Sequence, residues 1–97
     1  MTRINNHSDF IAKAIADSDY SRAIALYGEA IDAAADPLLK ATLYFERGKL
    51  YWKTGCRSAA TTDYAAAAEL DPDGPAVAAL DQAREIENFF NTDLLNP

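Results

Sequence analysis

Tyr44-Phe45-Glu46-Arg47-Gly48-Lys49-Leu50-Tyr51, followed at fixed spacing by Gly55, Ala60, Tyr64, Ala67 and Pro72, is the stretch of this 97-residue sequence that decides the fold. Apolar residues recur in it every three or four positions, the period of a helix with one buried face, and alternating β-branched runs are absent. Thr54-Gly55 divides it into two helices, and Asp71-Pro72-Asp73-Gly74-Pro75 ends the second. Each landmark has a physical task. Gly48 and Ala60 are small where two helices must approach closely; Tyr44, Tyr51 and Tyr64 fill the space around that crossing. Gly55 permits the turn, and Pro72 cannot continue a helix.

Outward from this unit, further stops fall at Asp17-Ser18-Asp19, Asp36-Pro37 and Asn91. Five helices are predicted, at about 4–17, 19–35, 38–54, 57–70 and 75–90, with 91–97 left non-helical. Connections of only a few residues force consecutive helices to run antiparallel as hairpins, so the fold class is all-α. The sequence also repeats. Ala23 aligns with Ala60, Tyr27 with Tyr64 and Ala30 with Ala67 at an offset of 37, and Asp36-Pro37 with Asp71-Pro72 at 35. Repeats of two helices at this length belong to solenoids, whose units bury their apolar faces only by stacking.

With Tyr44-x-x-Arg47-Gly48-x-x-Tyr51, Gly55, Ala60-x-x-x-Tyr64-x-x-Ala67 and Pro72, the second unit resembles a tetratricopeptide repeat (TPR). The resemblance covers 19–72 closely and 4–18 loosely, since Ile11 stands where a small residue is expected and His7 where an aromatic is usual. It implies one domain over 1–97: antiparallel helical hairpins stacked as a short right-handed TPR-like solenoid. Repeat 1 would occupy about 4–37, repeat 2 about 38–72, a capping helix about 75–90 and a tail 91–97. Arg47 replaces the usual leucine, so its guanidinium must reach solvent or pair with an acid of the preceding helix such as Asp32. The ending from Phe89 to Pro97 is similar to that of small standalone bacterial proteins of this class.

Composition narrows the function. Hydrophobic residues make up 49% and charged residues 25%, the balance of a chain that folds, and a net charge of −6 repels phosphate backbones and anionic lipid. Nucleic acid and membrane are therefore not expected partners. One Cys and one His cannot supply a zinc site, and the single Cys56 closes no intrachain disulfide. Met1 to His7 has no apolar segment of the exporting kind, so a cytoplasmic, reducing location is expected.

The charge is uneven. Residues 40–57 carry Lys40, Arg47, Lys49, Lys53 and Arg57 against Glu46 alone, a local +4 in a chain of −6. On a helix Phe45, Lys49, Trp52 and Lys53 share one face, next to the Tyr44–Gly48–Tyr51 face used for packing. The resemblance puts the first face in the concave groove. An aromatic beside two ammonium groups suits an acidic peptide or a free C-terminal carboxylate, with Trp52 as anchor and Lys49 and Lys53 as charge partners. The plain alternative is a solvated lysine face over a packed aromatic stripe. The two-lysine, two-asparagine clamp of chaperone-binding relatives is not matched, so chaperone tails are not indicated. A different reading makes the protein a structural element that homo-oligomerises through Leu94 and Leu95 or through exposed alanine faces such as Ala65-Ala66-Ala67-Ala68.

No enzyme is expected. His7 lies beside Ser8 and Asp9, but neighbours on a helix point apart, and a Ser-Asp pair in a first turn is more simply a cap. Cys56 follows Gly55 and precedes Arg57, a setting that lowers thiol pKa values, yet an ordinary turn residue explains it. Asp71, Asp73 and the acids of 81–87 lack the ligand order of a calcium loop, and no glycine-rich phosphate loop is present. Cofactor and metal are accordingly expected to be none.

Overall fold

A computed structural model describes the backbone of residues 6–95 and the side chains of 7–86. Five helices span it: α1 (Asn6–Ala16), α2 (Tyr20–Ala33), α3 (Pro37–Lys53), α4 (Arg57–Leu70) and α5 (Ala76–Leu95). No strand is present among the described residues. One expectation is corrected. The helix that should stop at Asn91 continues to Leu95, because neither Gly nor Pro interrupts the sequence between Pro75 and Pro97. The anticipated packing of Leu94 and Leu95 lies outside the described side chains.

Among the described residues, substantial contacts join helices adjacent in the chain: α1–α2, α2–α3, α3–α4 and α4–α5. Early residues of α3 meet late residues of α4, as Ala41 and Tyr44 do Ala67 and Leu70. Tyr51 and Trp52 meet Ala60 instead, so the pair is antiparallel. The result is a slab of 57 × 30 × 16 Å with a row of apolar clusters in place of one central core: one joins α1, α2 and α3, and two join α3, α4 and α5. Positions 37 apart in sequence share their burial. Ala23 and Ala60 are both 0% exposed, and Tyr27 and Tyr64, like Ala30 and Ala67, are buried in pairs.

The turns of the two hairpins repeat atom for atom. Asp19 donates its backbone N–H to the Ala14 carbonyl at 2.8 Å, and Cys56 to that of Tyr51 at 2.8 Å. Inside each, Ser18 donates to Ile15 at 2.9 Å and Gly55 to Trp52 at 3.1 Å. These are the paired bonds of a Schellman helix end, which requires a left-handed residue just past the helix. Gly55 takes that conformation at φ +89°, and Ser18, which has a Cβ, takes it at +59°. The next residue starts the following helix. Asp19 accepts a bond from the Arg22 N–H, whereas Cys56 makes no side-chain cap.

At the α3–α4 crossing the sequence expectation holds for Gly48 and is corrected for Arg47. A Cβ added to Gly48 would lie 2.8 Å from Tyr64 Cε1 and 3.2 Å from Asp63 Cβ, so only glycine fits without a shift. Arg47 pairs with Asp63 of the following helix, not with Asp32 of the preceding one. Its Nε and Nη2 donate to the two Asp63 oxygens at 2.7 and 2.8 Å. Asp63 is 3% exposed. The Tyr44 and Tyr51 rings flank the guanidinium, each 5.6 Å away. The hydrogen bonds that Arg47 donates to Asp63 hold the Arg47 pKa above its ordinary value while burial works the other way. Asp32 is exposed on α2, where the helix surface leaves it in water.

Candidate functional site

The α3 residues marked by sequence divide between two sides of the helix. Phe45 and Trp52 face α4 and α5, packed against the cluster of Ala60, Tyr64, Leu80 and Ala83. The Phe45 ring lies 5.8 Å from that of Tyr64. Lys49 stays with Phe45, its ammonium 4.8 Å above the ring and 3.2 Å from a Glu46 carboxylate oxygen. Lys53 turns the other way, 5.3 Å over the Tyr20 ring at the start of α2. There its ammonium joins a hydrogen bond from Ser18 in lowering the pKa of the Tyr20 hydroxyl. The structure therefore brings Phe45, Lys49 and Trp52 together and sets Lys53 apart. A spacing of one residue between Trp52 and Lys53 turns the helix by about 100°, which is enough for the long lysine stem to reach the neighbouring groove.

Between α3 and α5 runs a groove floored by α4. At one end a cleft of about 180 Å³ is lined by Trp52, Tyr64, Ala79, Gln82, Ala83 and Ile86. The Arg57 guanidinium, from the first turn of α4, lies 5.1 Å over the Trp52 ring. At the other end a cleft of about 140 Å³ is lined by Phe45, Glu46, Ala67, Asp71, Pro75 and Ala76, among others. Alanines on α5 leave this space. A bulky residue at 76, 79 or 83 would fill it. Ile86 keeps 38% of its surface exposed beside Trp52, and burial pushes the Tyr64 phenol pKa upward.

Several contributors escape a reading of α3 alone: Arg57, Tyr64, Gln82 and Ile86. Gln82 and Ile86 are the residues 37 positions beyond Phe45 and Lys49, so the offset that aligns the two hairpins also marks the groove side of α5. Asp63 was legible too. It falls beside Tyr64 on the Ala60–Ala67 stripe, where a carboxylate must find a cation.

The other sequence candidates do not converge. His7 and Ser8 line a separate shallow cleft with Ala30, Ala33, Leu39 and Leu43. Cys56 is an exposed free thiol. The alanine run 65–68, expected to be an open face, is engaged within the chain: Ala67 is buried, and Ala65 and Ala68 pack on the clusters beneath α3 and α5. Among the described residues no group of three or more His, Cys, Asp or Glu could hold a metal ion. No helix among them is long and apolar enough to cross a membrane. No protein-family model, curated protein or solved structure matches the chain.

Proposed function

We propose that this chain is a two-repeat solenoid of the TPR type closed by α5, and that it is a non-enzymatic, cytoplasmic interaction module. Its ligand is a peptide segment of another protein, acidic or ending in a carboxylate, held in the α3–α5 groove. The solenoid reading is supported by the shared turn geometry and burial of positions 37 apart, and by close packing that is chiefly between successive helices. The capping role of α5 is supported by its outer face. Asp81, Arg84 and Glu85 stand where α3 carries Tyr44, Arg47 and Gly48, so α5 offers charged residues where α3 receives α4.

The observation that carries the binding reading is half-buried Trp52 over an open cleft, with Tyr64 and Ile86 across from it and the Arg57 guanidinium on its ring. A rigid aromatic anchor beside a cation is the kind of residue that dominates peptide recognition. Trp52 is also the sole tryptophan, so its emission reports occupancy of the groove directly. Titration with synthetic acidic peptides containing a leucine should shift that emission. Calorimetry should show Trp52→Ala losing at least about tenfold in affinity, as hot-spot truncations do. Lys49→Glu should weaken binding more than Lys53→Glu, because Lys53 lies toward α2. Equal affinity for wild type and Trp52→Ala would remove the proposal.

A further inference from the structure

The cleft at the Phe45 end of the α3–α5 groove has a counterpart one repeat earlier. Ser8, Ala30, Ala34 and Leu39 line the cleft at the α1–α3 junction and stand 37 positions before Phe45, Ala67, Asp71 and Ala76, which line the second. The two clefts differ in chemistry. Where the first has the methyl of Ala34, the second has the Asp71 carboxylate, so a helix junction of this kind forms without an acid. Asp71 does not cap a helix start either. Asp36, its counterpart at the offset of 35, accepts the Leu38 N–H at 3.2 Å at the start of α3. Asp71 instead ends α4, half-buried, and among the described residues its carboxylate has no hydrogen bond or ion pair. Gly74 leaves it room, since a Cβ there would lie 2.5 Å from an Asp71 carboxylate oxygen.

Among the described residues, every polar side chain lining this cleft is an acceptor: Thr42, Glu46 and Asp71. Thr42 spends its hydroxyl proton on the Leu38 carbonyl at 3.1 Å. Lys49 pairs with Glu46 at 3.2 Å, which leaves the Asp71 charge unmatched. The last turn of α4 carries no basic residue. Its negative dipole end and the positive end of α5 both border the cleft and offset one another. The walls are apolar, with Ala41, Phe45, Ala67 and Ala76 among them. A volume of about 140 Å³ is close to the roughly 150 Å³ that admits benzene, and the unbranched stem and compact ammonium of a lysine are of that size.

We propose that this cleft is a lysine pocket of the groove: a ligand lysine lays its stem against Ala41, Ala67 and Ala76 and sets its ammonium on Asp71. This deepens the peptide-binding reading and rests on it. An ammonium offers three donors and no acceptor, the complement of a lining whose polar side chains only accept. An apolar side chain would fit the same walls but would cover the Asp71 carboxylate without satisfying it. An acidic one would meet a like charge, so the acid of the ligand stays outside this cleft. Phe45 and Trp52 are seven residues apart on α3, or about 10 Å along its axis. An extended chain covers that distance in about three residues. The ligand therefore carries its lysine about three residues from the apolar side chain that enters the Trp52 cleft.

The experiment uses end-blocked peptides, read by calorimetry and Trp52 emission at physiological salt. Each carries a leucine, an aspartate and a probed residue placed about three positions before the leucine or about three after it. The probed residue is lysine or norleucine, which keeps the stem and lacks the charge. In at least one placement lysine should bind about threefold to tenfold tighter than norleucine. Asp71→Asn should bring that ratio close to one. The variant keeps the backbone bond from residue 71 to the Ala67 carbonyl that ends α4, and circular dichroism checks its fold. Should it fail to fold, Gly74→Ala crowds the carboxylate instead and should lower the ratio while norleucine binding persists. Equal binding of lysine and norleucine peptides in both placements overturns the pocket and leaves the groove reading standing. A lysine preference that survives Asp71→Asn, or that Gly74→Ala leaves untouched, overturns the assignment to Asp71. Binding of no peptide in the series removes the groove reading itself, and the pocket with it.

Discussion

At the α1–α2 crossing Ile11 and Leu26 are buried where the α3–α4 crossing has Gly48 and Asp63, and half-exposed Phe10 stands where Arg47 bridges to its carboxylate. Ala14 takes the place of Tyr51. Bulk has been moved along one helix of the pair: α1 puts a large residue, Ile11, where α3 has Gly48, and a small one, Ala14, where α3 has the Tyr51 ring. The first crossing is thus apolar throughout, whereas the second is polar at its centre. A buried carboxylate tolerates only the geometry that satisfies it, so the second hairpin is specified more narrowly. It is also the hairpin that forms the groove, and Arg47 lies between Tyr44 and Tyr51 on the face of α3 next to that of Phe45 and Trp52. Its guanidinium reaches back to α2 as well, lying 3.5 Å from where a Cβ on Gly28 would be.

The contrast can be broken at its polar centre. Asp63→Ala leaves the Arg47 guanidinium without its carboxylate and should lower stability by about 3 kcal/mol in urea unfolding. The double change Arg47→Met with Asp63→Leu imports the apolar solution of the first hairpin and should return to within about 1 kcal/mol of wild type. A double variant as unstable as Asp63→Ala would show that the pair contributes more than its own satisfaction. A smaller effect is expected at the neighbouring contact. In an open helix alanine is favoured over glycine by about 1 kcal/mol. At Gly48, however, the added methyl meets the Tyr64 ring at 2.8 Å, so Gly48→Ala should be net destabilising by about 1 kcal/mol in the same assay.

The smallest effects sharpen the comparison by exchanging turn residues. Ser18 holds φ +59° where the second hairpin uses glycine, and Ser18→Gly should stabilise by about 0.5 kcal/mol. Cys56→Asp should supply the cap that Asp19 gives α2, adding about 0.5–1 kcal/mol. Thermal melts of the two variants check both signs. Ser18→Gly without effect would mean that the serine conformation is unstrained.

Much of this architecture was legible because it depends on local rules. Five helices and their turns follow from Gly55, the Asp-Pro pairs and the three-to-four-residue apolar period, each acting within one turn of chain. The error at Asn91 has the same origin. A lone asparagine is a weak stop, and no glycine or proline supports it before Pro97. The groove was legible only in part. Periodicity put Phe45, Lys49 and Trp52 on one face, but it treats a long side chain as a point, and so could not show Lys53 crossing to Tyr20. Nor could it bring Arg57 over Trp52, since the two are joined through the hairpin turn rather than along a helix.

The sequence by itself determined the helices as far as the last turn of α5, the glycine turn at position 55, the offset of 37 and the need for a small residue at position 48, because backbone conformation and helical period are properties of neighbouring residues. Only the tertiary structure decided that Arg47 pairs forward with Asp63, that Ala65, Ala67 and Ala68 pack within the chain, and that Arg57 lies over Trp52. These depend on which helix lies against which, and a stripe of residues on one helix is silent about the partner that will cover it.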